Sequence, residues 1–306
     1  MNEKKIQIGG QAVIEGVMMR GPEHIATAIR RKDGCIEVQK KPFISITKSH
    51  PIYKLPVFRG FVSLIEMLKI GIQTLNHSAS VWELDNSENT NTTAKSSTKD
   101  KIGEYLTIGI SIALALLLFG FVPYLLTNLI GLEKQSILYN LFAGSLRIVF
   151  FVIYVFSISF LKDIKRVFQY HGAEHKAVFA YENKAELTVD SVRNFSTIHP
   201  RCGTSFMFFV LLIAILVFSC IDTLVIYYEL FTLTPVIRFL YHLPFIPLIS
   251  GISYEFLKIS EKKMNNFFIR IFTKPGMALQ KITTQEPDDQ QIEVAIVALK
   301  QALNEN

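Results

Sequence analysis

The sequence predicts an α-helical polytopic membrane protein, with about four transmembrane helices and a small cytoplasmic β-rich module at its N-terminus. Half of the 306 residues are hydrophobic and the mean hydropathy is +0.31, more apolar than an ordinary soluble protein. The excess is concentrated in four long blocks. A third observation is the glycine-punctuated alternation that occupies the first 56 residues.

In residues 1–56, Ile6–Ile8 and Ala12–Met19 are apolar runs broken by Gly9-Gly10, Gly16 and Gly21-Pro22. Ile25–Arg30 and Cys35–Val38 flank Lys32-Asp33-Gly34, a hairpin signal because Asp-Gly tolerates positive φ. Residues 57–81 read as an amphipathic helix with Arg59, Ser63, Glu66, Lys69, Gln73 and Asn76 as its polar stripe, lying at a membrane interface. A span there would bury Arg59, Glu66 and Lys69. Residues 82–101 are rich in Asn, Thr, Ser, Lys, Asp and Glu and read as a disordered linker.

The spans are expected at 106–130, 137–161, 206–228 and 231–257, each long enough for a bilayer that takes roughly 20 helical residues. The fourth holds Pro235, Pro244 and Pro247, which predict a kink or break. The tail, 258–306, ends in a helix opened by Pro287, Asp288 and Asp289, with Ile292, Ala295, Ile296 and Leu299 as its apolar stripe.

Met1-Asn2-Glu3-Lys4-Lys5 has no apolar core behind it, so no cleavable signal peptide is expected. Lys162, Lys165, Arg166, Lys176, Lys184, Arg193 and Arg201 crowd the loop 162–205, whereas 131–136 and 229–230 hold only Lys134. The positive-inside rule therefore puts both termini and the long loop in the cytoplasm of a multi-pass cell-membrane protein. The cysteines Cys35, Cys202 and Cys220 form no disulfide framework. The net charge of +6 fits juxtamembrane cations facing anionic membrane lipid. No basic stripe interleaved with aromatics argues for nucleic acid.

The chemistry concentrates in His171-Gly172-Ala173-Glu174-His175 and His199-Pro200-Arg201-Cys202, which hold three of the seven histidines. On a helix continuing straight from the second span, His171 and His175 project from one face and can share a zinc ion. The order H-x-x-E-H inverts the common zinc-protease signature and makes Glu174 the candidate general base. His199 and Cys202 are the further candidate ligands, and Arg201 can hold an anionic group. A full shell of His171, His175, His199 and Cys202 would be structural; three ligands and a water would be catalytic. Interfacial histidines bonded to headgroups are the plain alternative.

Arg147, Asp222, Arg238 and His242 fall within the spans, where charges pair or line a cavity; Asp222 is expected to pair with an arginine. Glu255, at the inner end of the fourth span, could reach the metal layer. Glu15 and Arg20 sit in the glycine-punctuated segment, which suits either an anion-binding loop or tight turns.

The segments GGQAVIEGVMMRGP (Gly9–Pro22), HGAEHKAVFAYE (His171–Glu182), HPRCGTSF (His199–Phe206) and KPGMALQKITTQEPDD (Lys274–Asp289) resemble the YqhQ-like family of bacterial membrane proteins of unknown function. The resemblance covers almost the whole chain apart from 82–101, and it implies a predicted metal-dependent enzyme with no established substrate. The leading expectation is a cytoplasm-facing zinc site with hydrolase activity on a lipid or a membrane-bound peptide. A transporter or channel using the intramembrane charges, and a non-catalytic scaffold with structural zinc, are the rivals.

Overall fold

The computed structural model describes residues 8–86, 98–131, 137–230 and 234–304. The chain divides into two compact units, one of Met1–Asn86, Val155–Phe209 and Ser250–Asn306, the other of Ser87–Tyr154 and Val210–Ile249.

The first unit is organised by an antiparallel meander of β1 (Gly9–Val13), β2 (Gly16–Arg20), β3 (His24–Arg30) and β4 (Ile36–Pro42), in that spatial order. The expected N-terminal β element is therefore present. Val13 pairs with Gly16 across a two-residue loop in which Glu15 takes φ 52°, the positive φ that such hairpins require. The Asp-Gly signal is realised between β3 and β4: Gly34 has φ 88° and the Asp33 carboxylate accepts the Cys35 N–H at 2.9 Å.

Both faces of the sheet are covered. Val17, Met19, Ala26 and Ala28 form one core with Tyr170, Ala173 and Ala177 of α5 (Lys162–Glu182) and with Ile292, Ala295 and Leu299 of α11 (Asp289–Leu303). Residues of the other parity, Met18, Thr27 and Ile29, are buried too. On that side runs α1 (Phe58–Asn86): Gln11, opposite Met18 in the register, meets Gly71, and the Ile14 N–H donates to Ser78 Oγ at 3.2 Å. Each fully buried aliphatic side chain contributes roughly 1.5–3 kcal/mol, so the sheet gains stability from helices distant in sequence. The predicted apolar stripe of α11 is fully inward, and the helix is closed by an Asp288–Gln291 capping box and a left-handed Asn304 at φ 62°.

The structure departs from the sequence reading in four places. First, α1 runs to Asn86, past Trp82 where the linker was expected, because Asp85 anchors its end to the β3–β4 loop through Arg31 (2.5 Å) and the Lys32 N–H (3.0 Å). Residues 87–97 of that linker lie outside the described residues, and 98–101 belong to α2 (Thr98–Leu116). Second, two members of the expected polar stripe turn inward. Glu66 is 5% exposed and accepts from Ser45 (2.9 Å) and the Ile46 N–H (2.7 Å), and Arg59 pairs with Glu255. Phe58, Ile65, Leu68, Ile72 and Leu75 are exposed beside Lys69, Gln73 and Asn76, which keep the outward position expected of them.

Third, the second span does not run straight on. The helix α4 (Ile137–Ile158) stops, the Ser159 hydroxyl returns to the Phe156 carbonyl at 2.6 Å, Leu161 is extended, and α5 restarts with Asp163 in its first turn, where a carboxylate favours a helix N-terminus. Fourth, the tail holds another helix, α10 (Phe267–Thr283), which contains Pro275 and is capped by Asn266 accepting the N–H groups of Phe268 and Ile269.

In the second unit, α2 passes through a π turn (Leu117–Phe121) into α3 (Val122–Leu129). The remaining elements are α6 (Val189–Arg193), α7 (Gly203–Tyr227), α8 (Pro235–His242) and α9 (Ile246–Lys262). Among the described residues four helices are long and apolar enough to cross a membrane: Gly109–Leu129, Ile137–Ile158, Gly203–Tyr227 and Val236–Lys262. The last is broken by a 3-10 turn over Leu243–Phe245, at one of the prolines that predict it. Residues 1–7, 132–136 and 231–233, which carry the expected N-terminal charge, the Lys134 loop and the start of the fourth span, lie outside the described residues.

A Cβ at Gly172 would come within 2.0 Å of the Gln285 carbonyl, whose own N–H donates to Phe168 O at 2.9 Å. Gly172→Ala gains about 1 kcal/mol of helix propensity but must displace backbone, which costs about 1–3 kcal/mol or more. The variant is expected to melt below wild type in detergent; a higher melting temperature would show that the 284–286 segment does not lie on α5.

Candidate metal centre

The inner face of α5 presents His171 and His175 one turn apart, their ring centroids 4.5 Å from each other. His171 Nδ1 lies 2.8 Å from the Thr283 carbonyl and His175 Nδ1 lies 2.5 Å from the Thr197 carbonyl. A carbonyl only accepts, so each Nδ1 carries the proton and each Nε2 presents a lone pair. Cys202 Sγ lies 3.3 Å from His171 Nε2, and one ligand atom from each of His171, His175 and Cys202 falls within 4.8 Å of the other two. The turn His199-Pro200-Arg201-Cys202 closes with the Cys202 N–H on His199 O at 3.3 Å. Cys202 then caps α7, its sulfur accepting the Thr204 N–H at 3.4 Å. Burial pushes the pKa of both imidazoles down, which keeps them neutral and able to ligate.

Glu174 is 5% exposed, and its Oε2 lies 3.5 Å from His175 Nε2. Burial pushes its carboxyl pKa up, opposed by the field of His171 and His199 and by the nearby Gly10 N–H. A Cβ on Gly10 would stand 2.8 Å from Glu174 Cγ. The glycine-rich segment thus serves close approach here, and β1 touches the site through bare backbone.

His199, expected as a ligand, stands beside the cluster and outside it. Its Nδ1 accepts the Arg201 N–H at 3.2 Å, its Nε2 faces Glu182 at 3.6 Å, and its ring lies against Phe179 with centroids 4.4 Å apart. The turn has claimed Nδ1, while Nε2 lies 3.6 Å from Glu182 and the ring stands 5.6 Å from that of His175. Arg201 pairs with Glu182 and, at 3.3 Å, with Glu261. Gln280, fully buried, fixes this segment: its Oε1 accepts the His199 N–H, and its Nε2 donates to His199 O and Ser205 Oγ, each at 2.8 Å. Glu182 and Gln280 escaped the sequence reading, since neither carries a ligand-spacing signal. Both lie within segments quoted for the family resemblance.

The other candidates divide. Arg20 lines a cavity of about 270 Å³ that also contains the His171, His175 and Cys202 cluster; its guanidinium sits 5.3 Å over Phe43 and 4.0 Å from Glu66. Glu15 pairs with Arg166 and accepts from the Tyr170 hydroxyl at 3.2 Å, so its loop is a tight turn held by ion pairing. Glu255 is taken by Arg59, not by the cluster. In the second unit, Asp222 pairs with Arg238 at 3.4 Å, as an intramembrane carboxylate should, and with His242 at 2.8 Å. Arg147 lines a cavity beside them.

A family model described as "Protein of unknown function (DUF1385)" matches residues 55–305. The chain is 34% identical over 304 residues to the uncharacterized protein YqhQ of Bacillus subtilis (strain 168), an alignment that covers 96% of this chain and 92% of that protein. No solved structure matches. The chain therefore belongs to the DUF1385 family, and this member carries four apolar helices of spanning length among its described residues. Neither description assigns an activity, so the expectation of a metal-dependent enzyme draws no support from relatives.

Replacing Gln280 by Leu strands the His199 N–H and the Ser205 hydroxyl, while the His199 carbonyl keeps the Cys202 N–H. Each buried group left unsatisfied costs about 1–3 kcal/mol, so Gln280→Leu is expected to lose about 2 kcal/mol or more in denaturant unfolding. A loss under about 1 kcal/mol would show that the bridge does not form.

Proposed function

We propose that this DUF1385 member binds one zinc ion through His171, His175 and Cys202 and hydrolyses an anionic, lipid-borne substrate at the cytoplasmic face of a bacterial inner membrane. One observation carries the reading: three preoriented N and S donors open into a cavity of about 270 Å³ that Glu174 and Arg201 also line. Two imidazoles and a thiolate suit zinc, and three protein ligands with an open position are the catalytic arrangement, a closed four-ligand shell the structural one. When bound, the ion supplies Lewis acidity and a water that ionises near neutral pH.

The chain's own residues supply the rest. Glu174, packed against the bare backbone of Gly10, accepts the proton of the attacking water and returns it to the leaving group. Arg20 and Arg201 line the same cavity and hold the anionic group. Leu64, Met67, Phe206 and Leu257 form apolar walls suited to an acyl chain. Phe206 and Leu257 belong to candidate spans, and the exposed apolar side chains of α1 suit immersion at the interface, so the substrate enters from the bilayer. The paired arginines favour a phosphate-bearing lipid over a membrane-bound peptide.

Elemental analysis of the protein in detergent is expected to give about one zinc per chain, lost in His171→Ala. Glu174→Gln is expected to keep the zinc while losing turnover of anionic phospholipid in mixed micelles by a factor of about 10² or more. Absence of stoichiometric metal from wild type under non-stripping conditions overturns the proposal, and loss of zinc in Glu174→Gln makes that residue a ligand.

Both termini lie on the cytoplasmic side in this reading, following the lysines and arginines of 162–205. Cys35 is exposed and Cys202 buried. In a Cys220→Ser background, a membrane-impermeant thiol reagent is expected to spare intact spheroplasts and to label Cys35 after lysis. Labelling before lysis would invert the topology.

A further inference from the structure

The second unit holds a cavity of about 240 Å³ whose polar wall is made by Asn140, Arg147, Asp222, Arg238 and His242. Its charges do not balance. The two oxygens of Asp222 are used by His242 at 2.8 Å and by Arg238 at 3.4 Å. Arg238 also donates to Asn140 Oδ1, at 3.4 Å. His242 is fixed further by stacking on Phe218, with ring centroids 3.9 Å apart and planes 9° from parallel. Arg147 has no hydrogen bond or ion pair among the described residues. It sits near the middle of Ile137–Ile158, where a lone guanidinium is among the most costly groups a span can carry. Two arginines therefore face one carboxylate.

An independent observation points to the same space. Asn140 is 8% exposed, and its Nδ2 has no hydrogen-bond partner among the described residues although its Oδ1 is engaged. A buried amide donor left unpaired costs about 1–3 kcal/mol, and it lines the cavity that the unpaired guanidinium lines. What is missing is negative charge with several acceptor oxygens.

We propose that this cavity binds a phosphate group, with Arg147 as its anchor and Arg238 and Asn140 as further donors. Guanidinium forks match phosphate oxygens in pairs. One bound phosphate compensates the surplus cation, gives the Asn140 amide its acceptor and leaves the Asp222–His242 contact in place. The phosphate arrives either as a free anion or as the headgroup of an anionic lipid. The site is separate in residues and chemistry from the His171, His175 and Cys202 cluster.

The test is thermal unfolding of the full chain in neutral detergent with inorganic phosphate, with dioleoyl-phosphatidylglycerol, and with chloride at matched ionic strength, since a ligand of the folded state raises the melting temperature. Wild type is expected to respond to at least one phosphate probe and not to chloride. In an Arg201→Met background, which weakens anion binding at the metal centre, the response is expected to persist, and adding Arg147→Met is expected to abolish it. Arg147→Lys keeps the charge but loses the fork, and is expected to bind at least tenfold more weakly; it carries the test should Arg147→Met fail to fold. A response to the lipid alone assigns the headgroup, and a response to inorganic phosphate assigns the free anion. No response in wild type to either probe, or an undiminished response in both Arg147 variants, overturns the proposal.

Discussion

The first unit depends on one constraint: two imidazole N–H donors on the inner face of α5 need acceptors that neighbouring chain segments must supply. Each takes a backbone carbonyl, one from Thr283 at the end of α10 and one from Thr197 ahead of α7. A buried donor without an acceptor costs about 1–3 kcal/mol, so both chain segments must come to α5 and stop in register with it. Once they do, the Nε2 lone pairs face the same way, and the turn after Thr197 delivers Cys202 beside them. The cluster is thus a by-product of satisfying polar groups correctly, with geometry set by backbone and not by flexible side chains.

Packing makes that convergence affordable. Small residues on α5 and α11, among them Ala173, Ala177, Ala295 and Ala298, let two helices lie close on one face of the sheet, while α1 covers the other. Gly172 admits the Gln285 carbonyl to the surface of α5. The sheet is consequently a middle layer, buried on both sides, and its strands β2 and β3 read as nearly continuous apolar runs for that reason.

What the sequence disclosed, it disclosed through local periodicity. The four spans, the Asp-Gly hairpin, the stripe of α11 and the shared face of His171 and His175 are all set within a few residues of chain. What local pattern leaves open is what a long-range partner decides. His199 has the right residue type and stands next to the cluster, but which way a ring nitrogen points depends on Glu182 and on the Arg201 N–H. Glu66 reads as a surface carboxylate until Ser45 and Ile46 supply its donors. The break before α5 was hidden because both sides of it are helical and the apolar spacing carries across.

The sheet lies before residue 55, where the matched family region begins, yet β1 supplies the backbone that meets Glu174. That contact has no tolerance along the strand. The β1–β2 loop is two residues long, so β1 has no slack with which to absorb an insertion. Side chains alternate between faces with each residue. Moving β1 by one position would exchange the bare Gly10 for the amide of Gln11 or leave Gly9 in its place, with the strand's inward and outward faces reversed. The pairing register of a hairpin near the N-terminus is in effect a component of a site whose donor atoms are all more than 150 residues further along the chain.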